Sequence, residues 1–387
     1  MTAGDKNGPV IRPEGKIDSG TADAFSREIE SALEGAEAGP LTLDFDRVSY
    51  ISSAGLRVLL KLSKRLGDGL SIVNVSPEVY DIFDMTGFTT LMHVKRRLRR
   101  LSVDGCEIIG KGANGIVYRI DEDTIVKVYR RPDALPLIED EQKKAKQAFL
   151  MGLPTAISYD VVRVGDRFGS VFEMLKATSC NDRLLAEPEK AEDLLREYAE
   201  LILRIHAIKA PEGALPDARE VYIGYLDQVS GALTEGTPAR LRALLEQMPR
   251  ETNVIHGDIH TSNVLFSGGE PLLIDMDTLA AGNLAFELAG LFVAYQAFNE
   301  DEPGNSQRFF GFPKATADTI WRILLETCLG PGRREETVDR IRVLGYIRYL
   351  YTVIAMKNGG EELMETRIRR AAKRLDELIA RVDALSV

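Results

Sequence analysis

The sequence predicts two domains of unlike architecture: an α/β domain, a sheet with packed helices, over roughly the first hundred residues, then a larger α+β domain built as two lobes, one β-rich and one helical. Three observations carry the prediction. Short strand and helix patterns alternate up to about residue 95, three β-rich segments crowd between Glu107 and Tyr129, and helical periodicity dominates from Glu139 onward. A chain of 387 residues, 44% of them hydrophobic, holds enough apolar material for two or more cores.

Taken in order, Val10-Ile11-Arg12 is short and extended, and Asp18-Ser19-Gly20-Thr21 offers cap residues ahead of Ala22–Leu33, whose apolar positions recur at helical spacing. Leu41–Phe45 alternates as a strand does. Ser52-Ser53 then precede a helical run from Ala54 to Leu66, and one of these two hydroxyls is expected to cap it. Gly67-Asp68-Gly69 breaks that run, Leu70–Val75 returns as a strand, and Ser76–Asp84 reads as a helix. The basic run Lys95-Arg96-Arg97-Leu98-Arg99-Arg100 reads as a solvated face or linker, with contact to an acidic patch of the neighbouring domain as the sharper alternative. The boundary is placed near Val103, giving domains 1–103 and 104–387. The second divides into a β-rich lobe and hinge, 104–175, and a helical lobe, 176–387.

Composition narrows the function classes. With 59 acidic against 49 basic residues the net charge is −10, which repels phosphate backbones and anionic lipid, so neither nucleic acid nor a membrane is an expected partner. Cys106, Cys180 and Cys328 show no pair spacing of a disulfide framework or thiolate metal site. The opening residues lack a signal pattern, and the most apolar stretch, Leu288–Phe298, is too short to span a bilayer. A soluble, cytoplasmic protein is expected.

Gly110-Lys111-Gly112-Ala113-Asn114-Gly115 is a G-x-G-x-x-G, whose glycines let backbone N–H groups approach phosphates. A dinucleotide fingerprint would place a helix next. Here β-branched Ile116–Ile120 follows and turns at Asp121-Glu122-Asp123 into another strand, so the glycines sit in a hairpin, as a flap over phosphates would. That next strand carries Lys127 amid Ile125, Val126 and Val128. It is either a snorkelling surface lysine or a phosphate-gripping one held by a carboxylate of the following helix, Glu141 first and Glu139 second. Far downstream, His256-Gly257-Asp258-Ile259-His260-Thr261-Ser262-Asn263 lies between apolar segments, and Ile274-Asp275-Met276-Asp277 follows. Phosphoryl transfer needs chiefly positioning and charge neutralisation: a carboxylate near the acceptor hydroxyl and oxygen ligands for Mg²⁺. An Asp, an Asn five residues on, and a further Asp after an apolar strand supply those parts.

Residues from about 104 to 387 thus resemble the protein-kinase-like fold, and most closely its aminoglycoside and choline phosphotransferase branch, because Gly257 stands where typical protein kinases have Arg. The resemblance implies ATP and Mg²⁺ as cofactors and Asp258 as catalytic base or acceptor-orienting group. It implies Asn263 and Asp275 as metal ligands. Gly110, Gly112, Asn114, Gly115, Val117, Lys127 and Glu141 would hold the nucleotide, with Glu173 and Leu175 on the hinge that meets the adenine. His256 reads as a loop-orienting partner rather than a base. His260 either touches substrate or phosphate or packs the loop, and Asp277 either assists the metal or caps the following turn. His206, on an apolar helix, reads as structural.

Residues 8 to about 95 look like an STAS domain, the module of anti-sigma factor antagonists and sulfate-transporter tails. The likeness rests on Gly15-Lys16-Ile17-Asp18-Ser19, on Leu43-Asp44-Phe45-Asp46-Arg47-Val48-Ser49-Tyr50-Ile51-Ser52-Ser53-Ala54-Gly55-Leu56, and more loosely on Val79–Phe88. In that family a serine at the start of this helix is phosphorylated by a partner kinase, and its state controls binding. The resemblance implies Ser53 as acceptor, with Ser52 second, since the commoner Asp-Ser-Ser/Thr-Gly pattern is altered here by Ser52 and Ala54. The physics of a helix N-terminus favours a phosphate there.

The function expected is an ATP- and Mg²⁺-dependent phosphotransferase fused to an STAS regulatory domain. It would act on a protein hydroxyl, its own Ser53 or an anti-sigma-type partner, in a partner-switching role. One alternative keeps the enzyme but gives it a small-molecule acceptor, with STAS as sensor. Another is a non-catalytic module in which nucleotide occupancy sets the conformation.

Overall fold

Leu41 and Leu43 on one strand and Leu70 and Ile72 on the next are wholly buried, and these alternating positions set the register of the first sheet. The computed structural model describes residues 8–34, 40–112, 114–332, 334–356 and 361–387, so Ala113 of the glycine-rich motif lies outside the described residues. Contacts divide the chain into two units, Met1–Ser102 with Val161–Asp166, and Val103–Asp160 with Arg167–Val387.

In the first unit Val10–Ile11, Leu41–Asp44, Leu70–Val75 and His93–Arg96 form a four-stranded parallel sheet in that order. Glu14–Ile17 pairs in parallel with Arg47–Ile51. Parallel neighbours need crossovers, which the helices Ala22–Glu34, Ser53–Leu66 and Pro77–Met85 supply. Their apolar stripes, Phe25 and Ile29, then Leu56, Leu59 and Leu62, then Val79 and Phe83, close one core with the strands. Ser52 is the cap of the second of these helices: its hydroxyl accepts from Ala54 N–H at 3.2 Å. Ser53 is the first helical residue and is exposed.

The basic run is a solvated face in its side chains, which are exposed, but its backbone is not the linker that its charge also suggests. Lys95 and Arg96 complete the edge strand, Arg97 N–H donates to Val75 O at 2.7 Å, and the Arg97 guanidinium donates to Asp46 O at 3.1 Å. Strand pairing and charge are compatible here because Lys95, Arg96 and Arg97 are all exposed while their backbone stays in the edge ladder. A further strand, Asp160–Val164, carries too short an alternation to stand out in the sequence.

In the second unit Glu107–Lys111, Gly115–Arg119, Thr124–Tyr129 and Arg167–Glu173 are successive antiparallel neighbours, followed along the chain, after the third, by the helix Leu135–Leu150. The remainder is mainly helical, with Ala191–His206, Ala218–Val229, Thr237–Gln247, Leu284–Phe292, Lys314–Leu329, Glu335–Met356 and Glu361–Ile379, interrupted by the short antiparallel pairs Val264–Ser267 with Glu270–Leu273 and Val254–Ile255 with Ala280–Ala281. Every residue of Leu284–Phe292 is buried, as an almost uniformly apolar helix must be. This second unit is two-lobed α+β, and the first is α/β. No described helix is long and apolar enough to cross a membrane.

Candidate active site

Strand alternation decides where Lys127 points. Val126 and Val128 are buried on one face of Thr124–Tyr129, so Lys127 projects from the other, opposite Val117 and Ser170 in the register. Its side chain is only 13% exposed, unlike a snorkelling surface lysine. Lys127 Nζ lies 3.3 Å from Glu141 Oε1 and also donates to Asp275 Oδ1. Tyr129 OH donates to Glu141 Oε2 at 2.6 Å, which fixes the carboxylate from its other side. Burial works against the Lys127 charge, but Asp275 and Glu141 overcome it and push the ammonium above its usual range. Glu139, the second candidate, is exposed on the same helix and makes no ion pair with Lys127.

The glycine-rich segment forms the expected hairpin, with Gly110 opposite Val117 and Gly112 N–H donating to Gly115 O at 3.0 Å. At its tip Asn114 Nδ2 lies 3.4 Å from Asp277 Oδ2. Lys144, one turn beyond Glu141, donates to Asp277 O at 2.6 Å, so one helix grips both the lysine strand and the Asp277 segment. Glu173 ends its strand across from Thr124, and Met174 N–H donates to Asp123 O at 2.7 Å. Among the described residues the Glu173 side chain makes no hydrogen bond to Lys127, Glu141 or Asp275.

The loop after Val254–Ile255 is built almost entirely by buried hydrogen bonds. His256 Nε2 is 3.0 Å from Ile274 O and must donate to it, which leaves Nδ1 to accept from Asp258 N–H at 3.3 Å. The ring is therefore the neutral Nε2–H tautomer, and its burial holds its pKa below the usual value. Asn263 Nδ2 donates to Asp258 O at 2.9 Å, an arrangement that leaves Asn263 Oδ1 as a free oxygen donor. Ile274 N–H donates to Asn263 O at 3.1 Å, joining this loop to Asp275. Asp275 itself takes a left-handed backbone, φ 60°, an uncommon cost for a residue with a Cβ. His260 Nε2 lies 3.7 Å from Asp258 Oδ2, while its buried Nδ1 has no hydrogen-bond partner among the described residues. Burial and the carboxylates of Asp275, Glu141 and Asp258 push Asp277 up to about 7, although solvent still reaches its side chain.

Sequence reasoning missed two residues of this site. Glu287, buried on Leu284–Phe292, accepts from His256 N–H at 2.6 Å and from Gly257 N–H at 2.9 Å. Arg348, on Glu335–Met356, donates to Gly257 O and, at 3.2 Å, to Asp258 Oδ1. Burial opposes the charge on Asp258, but His260 and Arg348 outweigh it and hold the carboxyl below its usual range. Glu287 had a visible signal, a lone carboxylate inside an apolar run; Arg348 had none. His206 ends the helix Ala191–His206, with Nδ1 3.3 Å from Val254 O.

Two glycines are demanded by the close packing. Gly257 has φ 81°, and a Cβ there would sit 2.8 Å from Thr278 O; a Cβ on Gly290 would sit 2.6 Å from Gly257 O and 2.7 Å from Arg348 Nη1.

Comparison with known proteins places both units. Residues 2–101 match the STAS domain, and residues 105–313 match the phosphotransferase enzyme family. BtrV of Bordetella bronchiseptica, described as an anti-sigma factor antagonist, is 32% identical over 84 residues, 21% of this chain and 72% of that protein. The anti-sigma F factor antagonist of Paenibacillus polymyxa is 25% identical over 88 residues, 22% of this chain and 75% of its own. Among solved structures, a thermostable mutant of the aminoglycoside phosphotransferase APH(4)-Ia superposes with a TM-score of 0.48 at 14% identity, covering 71% of this chain and 94% of that one. The chain belongs to the phosphotransferase enzyme family, and its phosphotransferase domain is preceded by an STAS domain of the anti-sigma factor antagonist type.

Proposed function

We propose that this protein transfers the γ-phosphoryl group of ATP to a protein hydroxyl, and that Ser53 of its own STAS domain is such an acceptor, in cis or between copies. The observation that supports this reading is that one chain carries the Lys127–Glu141 pair, Asp275, Asn263 and Asp258 linked by hydrogen bonds, and an exposed serine whose neighbour already caps the helix. In the reaction a bond forms between the serine Oγ and the γ-phosphorus, the bond from that phosphorus to the β–γ bridging oxygen breaks, and ADP leaves. Asp258, ionised at neutral pH, orients the hydroxyl and takes its proton. Lys127 holds the α- and β-phosphates, the glycine hairpin covers them, and Glu173 and Leu175 present backbone to the base.

The oxygen donors Asn263 Oδ1 and the Asp275 carboxylate suit a hard divalent ion. Mg²⁺ held there would neutralise phosphate charge. The reading includes a partner-switching role in the cytoplasm, for which the anti-sigma antagonist likeness is the support: phosphate on Ser53 would change which protein the STAS domain binds.

The test is phosphate mapping after incubation with labelled ATP and Mg²⁺. Label on Ser53, lost in Asp258→Ala, is expected; no label on Ser52 or Ser53 in cis or in trans sinks this acceptor. A small-molecule acceptor is the second reading, favoured by Gly257 in the position of the protein-kinase Arg. ATP turnover across amino alcohols and aminoglycosides discriminates between the two.

A further inference from the structure

The carboxylate of Asp258 is flanked differently at its two oxygens. Oδ2 faces Asn263 Nδ2 at 3.5 Å and His260 Nε2 at 3.7 Å, both long. Oδ1 receives Arg348 Nη2 at 3.2 Å. The same guanidinium reaches Gly257 O through Nη1, so it spans the backbone and the side chain of consecutive residues with its fork. It is itself enclosed: the Arg348 side chain is 13% exposed against 36% for Asp258. The passage for it exists because Gly290 lacks a Cβ.

We infer that Arg348 is a positioning residue for phosphoryl transfer: by taking Oδ1 and Gly257 O together it locks the Asp258 side chain in one rotamer and leaves Oδ2 as the face that meets the acceptor hydroxyl. The loop motif has Gly257 where a guanidinium could have been carried locally; a distant helix delivers one to the same two residues instead. A lysine in this place would keep the charge and lose the fork, since a single ammonium cannot hold the two acceptors in fixed relation. The inference rests on the phosphotransfer reading above.

Steady-state phosphoryl transfer, read as ADP formation and as label on protein, compares the full-length protein with Arg348→Ala, Arg348→Lys and Gly290→Ala. Misplacing a reacting group by about 1 Å costs on the order of 10²-fold, so kcat is expected to fall by about that factor in Arg348→Ala with KM for ATP unchanged. Arg348→Lys should recover little of this. Millimolar guanidinium, but not ammonium, should restore Arg348→Ala, and Gly290→Ala should reproduce the loss with the arginine still present. An unchanged kcat in Arg348→Ala overturns the inference, and so does a parallel loss of kcat and ATP affinity that guanidinium does not restore. If the unaltered protein transfers no phosphate, the phosphotransfer reading fails on its own account. The contact is then decided by arginine side-chain ¹⁵N NMR: the Arg348 guanidinium signals should move in Asp258→Asn, and signals that stay in place refute the contact.

Discussion

Replacing Glu287 by glutamine removes one acceptor from beneath the candidate active-site loop without changing its volume. The carboxylate satisfies two buried N–H groups, those of His256 and Gly257, at 2.6 and 2.9 Å. A glutamine carbonyl can serve one of them, while its NH₂ group turns a donor toward the other. One buried donor is then unsatisfied, at a cost of about 1–3 kcal/mol. For a unit of this size each kcal/mol lowers Tm by about 2–4 °C, so Glu287→Gln should melt roughly 2–12 °C earlier. Because the disturbed N–H groups immediately precede Asp258, activity should suffer more than stability, with kcat falling about 10²-fold if the loop shifts by about 1 Å. Thermal unfolding followed by fluorescence, with ADP formation measured well below the melt, reads both effects. A variant that melts and turns over like the unaltered protein would refute the claim that this carboxylate holds the loop.

Lys127→Ala should reduce kcat/KM for ATP by about 10- to 150-fold, the worth of one charge-assisted hydrogen bond of about 1.5–3 kcal/mol, as measured by ADP release. Ser52→Ala should lower stability by about 0.5–2 kcal/mol through loss of the Ala54 cap, whereas Ser53→Ala should leave the urea midpoint in place and abolish the label on this helix. Gly257→Ala should destabilise by at least about 1–2 kcal/mol, since its backbone at φ 81° is left-handed and the new Cβ meets Thr278 O, a change visible as a lower Tm. His256 gives a pH dependence with a definite sign. Its folded pKa is depressed, so its contribution is intact above the unfolded value of about 6.5 and is lost as pH falls from there through the lower folded pKa, where protonation breaks the Asp258 N–H to Nδ1 bond. Urea unfolding between pH 8 and 5 should show stability declining on the acid side, with a shallower decline in His256→Gln.

The parts of this site that can be read along the chain are those whose spacing is local. The hairpin after Gly110 follows from β-branched residues where a dinucleotide site would put a helix, and Lys127 stands out as one cation on an apolar strand. Asp258 and Asn263 lie five residues apart on one loop, so their pairing at 2.9 Å needs no tertiary information. Glu287 and Arg348 are different: they sit 30 and 90 residues from their partners and arrive only by helix packing. Arg348 is one of several arginines on its helix, and nothing in the pattern distinguishes it from Arg340 or Arg342. The basic run near residue 97 shows the converse: charge suggests a solvated face or a linker, and its side chains are solvated on a backbone that pairs as an edge strand. Which of two adjacent serines would cap was likewise open, because either hydroxyl can reach an N–H of the first turn; Ser52 takes it at 3.2 Å.

Arg348 also sets a timetable. The match to the phosphotransferase family ends at residue 313, and the guanidinium that reaches Gly257 and Asp258 lies beyond it. During synthesis the STAS unit emerges first and can fold as soon as its own strands are complete. The loop around Asp258 leaves the ribosome long before the helix that finishes it. A chain truncated near residue 313 would carry every recognisable motif yet lack the fork that fixes its carboxylate, and a ribosome paused there would hold an enzyme not yet able to work.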